Sequence, residues 1–313
     1  MPFVAAPWVA EPFVATSLDG LTWASVPIPT ARTFIAGIYV GSTIILNDQQ
    51  GNYVVSTDDG ATFADAGTML DTSLNPIGAY GFYGGVFYAI SEMGAIATSP
   101  DGLAWTWLST TIPWLLSTYL QPSVIAVGDD GTLVVGSSAN YQASGFVYVS
   151  KDLGATWSSV NLFPTNNWQV TVGYGGGVYV AVAQWQGMPS CIATSVDAVT
   201  WVSNTTDALV NGPQFPSFDP LVGRWVCACE GGNMFTAPAS ATHWTETASG
   251  YGVWTDSSDG VYLVVGGPAD QAYRSTDGVN WSLVNLPATG NIWNIVIGHK
   301  GAVAASDVMA MLV

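Results

Sequence analysis

Eight residues, Ser56-Thr57-Asp58-Asp59-Gly60-Ala61-Thr62-Phe63, lie between two apolar runs, and their arrangement returns along the whole chain. SKDLGATW at 150–157 has the same spacing, and a form one residue shorter occurs as SLDGLTW at 17, SPDGLAW at 99, SVDAVTW at 195 and STDGVNW at 275. A worn copy, TAPASATHW, reaches Trp244 without its aspartate. The closing aromatics Trp23, Phe63, Trp105, Trp157, Trp201, Trp244 and Trp281 are 40, 42, 52, 44, 43 and 37 residues apart. Self-similarity at such a period is the signature of a repeat architecture in which each unit buries its apolar face against the next.

Within a unit the apolar residues alternate over short runs, as in VTVGYGGGVYVAVAQ at 170–184 and YLVVGG at 262–267. That is strand periodicity, and no long helical pattern interrupts it. Glycine-rich punctuation (GAYGFYGG, GDDG, GYGGG, SSDG, GHKG) marks the turn from first to second strand, and the aspartate-bearing turn follows the third. Each unit therefore reads as a four-stranded antiparallel meander, and radial stacking of such meanders is a β-propeller. In the turn, Asp accepts hydrogen bonds from backbone N–H groups a few residues on, Gly supplies positive φ, and the aromatic closes underneath. Asp19, Asp58, Asp101, Asp152, Asp197 and Asp277 are expected to be structural.

The spelling S/T-x-D-x-G-x-T-W/F resembles the Asp-box, or BNR, repeat of sialidases, sortilin-type receptors, photosystem assembly factors and many phage tail or fibre proteins. That resemblance spans nearly the whole chain. It implies an all-β, seven-bladed propeller occupying residues 1–313 as one domain, with the boxes away from the ligand face. The chain opens with third-strand material, PFVATS, and ends with a fourth strand, SLVNL, followed by first- and second-strand material, WNIVIGH and AVAASD. Seven blades then close only if N- and C-terminal strands share one blade, which removes the open edge.

Composition narrows the partners. With 5 Lys+Arg against 22 Asp+Glu the formal net charge is −17, which disfavours nucleic acid and anionic membrane surfaces. No run is long enough to span a membrane, and the N-terminus lacks the basic start of a secretory signal. Cys227 and Cys229, two apart on a strand-like run, share a face and read as buried thiols, as does Cys191. His243 and His299 are too few for a transition-metal site, and no cofactor motif occurs. The acidic pairs Asp58-Asp59, Asp129-Asp130 and Asp256-to-Asp259 lack the ligand loop calcium needs and read as turn stabilisers.

Enzymatic chemistry finds little material. A sialidase grips its carboxylate with three arginines, and this chain has only Arg32, Arg224 and Arg274, the last directly before a box on a third strand. Outside the boxes and turns, Asp48, Glu92, Asp207, Asp219, Glu230 and Glu246 remain for a glycosidase pair, and no spacing singles out two of them. The loops vary more. The links LSTTIPWLLSTYLQPS (108–123), SSANYQASG (137–145), AQWQGMPS (183–190) and NTTDALVNGPQFP (204–216) are long and carry Trp114, Tyr119, Tyr141 and Trp185 among amides and hydroxyls. Rings beside such groups suit sugars, and Trp168 and Trp293 match at the start of first strands, placed to line or cap the channel. The expectation is a non-enzymatic binding or structural module. The resemblance implies a virion or extracellular setting, with a host-surface glycan or protein, or neighbouring virion subunits, as partner. A sialidase-like or other glycoside hydrolase is the alternative, and an assembly-factor-like scaffold a further one.

Overall fold

The computed structural model describes residues 3–7, 9–113, 125–136, 145–163, 169–184, 190–209, 213–229, 232–249, 254–266, 269–289 and 293–298. These form seven four-stranded antiparallel sheets with no helix among the described residues. None therefore offers a helix long and apolar enough to cross a membrane. Named from the inner strand outward, blade 1 is Trp293–Gly298, Phe3–Pro7, Glu11–Ser17 and Trp23–Arg32. Blade 2 is Phe34–Val40, Thr43–Asp48, Asn52–Ser56 and Ala64–Thr68; blade 3 is Ile77–Tyr83, Val86–Ser91, Ala95–Ser99 and Thr106–Thr111. Blade 4 is Ile125–Val127, Leu133–Gly136, Gly145–Ser150 and Ser158–Phe163; blade 5 is Gln169–Gly175, Val178–Gln184, Ser190–Ser195 and Val202–Leu209. Blade 6 is Pro213–Asp219, Arg224–Cys229, Asn233–Pro238 and Thr245–Ser249; blade 7 is Trp254–Ser258, Val261–Val265, Gln271–Ser275 and Ser282–Asn285.

The inner strands adjoin one another in cyclic order, with that of blade 7 against Trp293–Gly298 and the latter against Phe34–Val40, so the ring is closed. Burial falls from inside to outside. Second strands such as Thr43–Asp48, Leu133–Gly136 and Val261–Val265 are buried almost throughout because a neighbouring blade covers each face, whereas the outer strand Ala64–Thr68 has no buried residue. This is why the second strands read as unbroken apolar runs, at roughly 1.5–3 kcal/mol of transfer free energy for each fully buried aliphatic side chain. Cys227 and Cys229 lie in such a run as buried free thiols.

The shared blade is present but divided differently from the sequence expectation. Phe3–Pro7 is the second strand of blade 1, pairing Val4 with Ile297 and Ala5 with Val296, and among the described residues the C-terminal part of the chain contributes one strand to this blade, Trp293–Gly298. The segment AVAASD, expected to be that second strand, lies outside the described residues. FVAAP escaped notice because a strand buried on both faces carries no alternation. Its Pro7 sits at the strand end, beside a register shift, where a missing N–H is tolerated. A second seam element lies on the inner strands, where the Asp256 carboxylate of blade 7 accepts the Ser217 hydroxyl of blade 6 (3.2 Å) and the Gly298 N–H of blade 1 (2.9 Å).

The aspartate turns follow the expected design. In the short form the Asp101 carboxylate accepts the N–H groups of Leu103 (2.8 Å) and Ala104 (3.0 Å), and the Gly102 N–H donates to the Ser99 hydroxyl. The longer form at Asp58 and Asp152 fits its extra residue by placing Asp59 and Leu153 in the left-handed region, and the carboxylate reaches Thr62 and Thr156. The indole N–H of Trp23, Trp105, Trp157, Trp201 and Trp244 donates to the carbonyl of the left-handed residue three positions before it. The worn copy keeps this last bond although Ala237, Ala239 and Ala241 stand where the others have Ser, Asp and mostly Gly.

Each turn also braces the preceding blade. A Cβ on Gly102 (φ +79°) would lie 2.8 Å from Ile45 Cδ1 of blade 2, and one on Gly20 would meet Leu263 of blade 7 at 3.3 Å. Gly84 (φ +58°), in a first-to-second strand turn, has open space around it. Gly102→Ala is therefore expected to destabilise by about 2 kcal/mol and Gly84→Ala by about 1 kcal/mol, the difference being overpacking added to left-handed strain. Parallel denaturant titrations measure this, and equal losses would contradict the bracing role.

The turn carboxylates are also held in the ionised form. The Thr62 hydroxyl and N–H draw Asp58 down to about 2, and the N–H groups of Thr200 and Val199 do the same for Asp197. At Asp277 burial pushes upward, but the Asn280 N–H and amide outweigh it, again giving about 2. Asp19, Asp101 and Asp152 are lowered in the same direction. A folded-state pKa below the unfolded value of about 3.9 stabilises the fold above that pH, and the contribution is lost as pH falls through the folded pKa. The melting temperature is expected to hold from neutrality to about pH 4.5 and fall between about pH 4 and pH 2. In the Asp58→Asn variant that acid slope should be shallower.

Candidate binding face

Two kinds of connection end up at opposite ends of the ring. First-to-second and third-to-fourth strand turns share one end, and this turn end holds Asp19, Asp58, Asp101, Asp152, Asp197 and Asp277. Second-to-third links and blade-to-blade links share the other, the link end, where loops of unequal length gather. Trp114, Tyr119, Tyr141 and Trp185 lie outside the described residues, as do Trp168, Glu230 and His299. Trp293 does begin an inner strand. One expected long link is shorter than read: most of 204–216 is strand, Val202–Leu209 and Pro213–Asp219, with Ser190 pairing to Leu209. Its threonines are β-branched and suit an extended outer strand.

The described part of the link end is held by carboxylates. Asp48, at the end of the second strand of blade 2, accepts the N–H groups of Gln50 (2.9 Å) and Asn52 (2.8 Å) and the Asn52 side-chain amide. Asp71, in the link from blade 2 to blade 3, repeats the pattern with Ser73 (2.8 Å), Asn75 (2.9 Å) and the Asn75 amide. Its second oxygen accepts the Ser91 hydroxyl of blade 3 at 2.7 Å. Both loops have the spelling D-x-x-x-N, DQQGN and DTSLN, a signal present in the sequence but not singled out there. Burial pushes the Asp71 carboxyl up, but the Asn75 N–H, the Ser91 hydroxyl and the Ser73 N–H outweigh it and hold it below the ordinary carboxylate range. Between the loops, Gly51 (φ +79°) packs so closely on Leu70 that a Cβ would overlap the leucine side chain.

The clamped loops present apolar side chains. Leu74 is 76 % exposed at the tip of the blade 2 to blade 3 link, and Met93 is 48 % exposed in the adjoining turn of blade 3. Nearer the axis, Phe215 and Trp254 stack with ring centroids 4.2 Å apart and planes at 25°, both half-buried at the link end of the inner strands of blades 6 and 7. Phe215 has φ +45° although it precedes Pro216, a position that favours extended backbone. Sequence reasoning reached neither ring, because a bulge between Gln214 and Ser217, not a periodic position, turns Phe215 onto Trp254.

The groups an enzyme would need are dispersed or engaged. Arg32 lies at the link end between blades 1 and 2, paired with Asp65 and with Asp48 (3.9 Å). Arg224 opens the second strand of blade 6 at the turn end, and Arg274 donates from blade 7 to the Asp19 carbonyl. Asp219 accepts the N–H groups of Leu221, Val222 and Gly260, and Glu246 accepts the Asn233 amide. The side chain of Asp207 lies outside the described residues. The acidic pairs are tied into turns: Asp59 accepts the Tyr39 hydroxyl, Asp129 the Tyr174 hydroxyl and Asp130 the Thr132 N–H. Among the described residues no three metal-ligating side chains gather.

Comparison with known proteins gives the fold and no family. No family model and no curated protein sequence matches the chain. A solved structure of YCF48 bound to D1 peptide superimposes with a TM-score of 0.60 at 20 % identity, covering 90 % of this chain and 87 % of that one. A protein from Lactobacillus plantarum gives 0.65 at 14 % identity over 91 % and 96 %, and a chain of a nidogen/laminin complex 0.56 at 12 % over 95 % and 97 %. At such identities the likeness is one of architecture.

Replacing Asp71 by Ala should strand the Asn75 amide and the Ser91 hydroxyl and destabilise by about 2 kcal/mol. Amide hydrogen exchange should quicken at residues 73–75 before it does in the strands of blades 2 and 3. Uniform acceleration across both blades would instead make Asp71 part of the global core.

Proposed function

We propose that this propeller is a non-enzymatic binding module that takes a protein or peptide segment on its link end. The observation that carries the reading is the clamped link between blades 2 and 3. The buried Asp71 carboxylate fixes its backbone and ties it to Ser91 of blade 3 while Leu74 on the link and Met93 beside Ser91 face solvent, so an apolar surface is preorganised and little ordering entropy remains for binding. Support of a coarser kind comes from the neighbours, since YCF48 is described with a bound peptide and the nidogen/laminin structure is a protein complex. These favour a scaffold of the assembly-factor type over the hydrolase alternative. The virion setting and glycan ligand implied by the repeat are the rivals that the experiment must separate.

Selection from a peptide display library, with saturable binding of the winners measured in solution, tests the reading beside a glycan array and assays with a fluorogenic sialoside and bacterial polysaccharide. Saturable peptide binding without turnover is expected. Turnover that tracks the purified chain would overturn the non-enzymatic reading, and glycan binding without peptide binding would replace the protein partner.

A further inference from the structure

Leu74 stands in a backbone conformation that leucine rarely adopts, with φ +66° and an exposed side chain. A bulky residue in the left-handed region persists only where its surroundings over-determine it, and such residues gather at ligand clamps. Here the surroundings are polar. The Leu74 N–H donates to the Asp71 carbonyl (3.0 Å), Asn75 is held by the Asp71 carboxylate, and Leu70 bridges to Pro76 across the loop neck. The leucine contributes nothing to burying the loop that strains it. Leu18 and Val196 at the turn end are as exposed, but neither has positive φ; Leu153 has positive φ (+58°) as the extra residue of the longer aspartate turn, and is less exposed (43 %).

Met93 belongs to the same unit. Its own N–H and the Asp71 carboxylate share the Ser91 hydroxyl, and the Glu92 N–H donates to the Pro76 carbonyl (2.9 Å), so the two apolar tips are fixed relative to each other. The charge around them is mainly negative. Asp48, Asp71 and Glu92 lie at the link end of blades 2 and 3, and Arg32, the one basic residue placed at the link end among those described, is paired with Asp65 and Asp48. Lys151, Arg224 and Arg274 belong to the turn end. On a chain of net charge −17, an occupant of this surface gains from positive charge and needs an apolar stripe to cover two aliphatic tips.

Building on the binding-module reading, we infer that the Leu74–Met93 surface of blades 2 and 3 docks a cationic segment with an apolar stripe. The test uses fluorescence anisotropy with labelled amphipathic peptides. One has a leucine stripe flanked by lysines, a second has glutamates in place of the lysines, and a third keeps the lysines but has serines in the stripe. The proteins are the full chain, the Leu74→Asn/Met93→Gln variant, in which asparagine tolerates the left-handed backbone, and Val196→Asn as a remote control. Thermal melting establishes that all three are folded.

The lysine-leucine peptide should bind the parent chain and Val196→Asn alike and the double variant about tenfold more weakly, with little binding of the other two peptides. Equal binding to the double variant would overturn the location while leaving the binding-module reading intact. Equal binding of the serine-stripe peptide would reduce the interaction to non-specific charge attraction and overturn the inference. Absence of binding by any of the three would also overturn it, and the display selection would then decide the broader reading.

Discussion

Each blade is apolar on both faces, so no blade has a finished surface until a neighbour stands on either side of it. The second strands show the consequence, since Ile44, Ile45 and Leu46 are consecutive and all buried, which a sheet with one wet face would not permit. A row of such blades leaves two apolar faces open unless it closes, and closure falls to blade 1, where the two ends of the described ring pair as strands. Asp256 adds a polar tie across the same seam by engaging the blades on both sides of its own.

Closure divides the molecule into two ends with different tasks. At the turn end a short carboxylate-and-backbone motif is repeated with small variations, and its left-handed residue leans on the preceding blade. Hydrogen bonding carries so much of this geometry that the copy ending at Trp244 survives with alanines at three motif positions, retaining the indole bond and gaining one from the Trp225 indole to the Ala239 carbonyl. At the link end the carboxylates of Asp48 and Asp71 do similar local work on loops that differ from blade to blade. A chain with few charges thus uses many of them on its own backbone, and the link-end loops of blades 2 and 3 expose Leu74 and Met93 beside Gln49, Gln50, Thr72 and Ser73.

Much of the fold was legible because its signals are local. The Asp-to-Trp spacing, the glycine-marked turns and the buried runs such as VYVAV each depend on a few adjacent residues, and together they led to the blade count and the shared blade. Phe3–Pro7 was missed because a strand covered on both faces and ending in proline has neither alternation nor a clear boundary. The binding face was less legible. The D-x-x-x-N loops carry a readable pattern, but the exposure of Leu74, its positive φ and the Phe215–Trp254 stack follow from how loops of different blades meet. The aromatic residues that the long links single out, Trp114, Tyr119, Tyr141 and Trp185, lie outside the described residues.

A scaffold closed by its own ends gives the link-end loops a fixed base, and a rigid base is what lets a strained leucine be displayed instead of buried. The dependence on closure is tested most directly by hydrogen exchange measured by mass spectrometry on the full chain and on a chain ending at Thr289. The account predicts that residues 3–7 are among the slowest-exchanging in the full chain and lose that protection in the shortened one, with a lower melting temperature. Equal protection of residues 3–7 in both chains would contradict it.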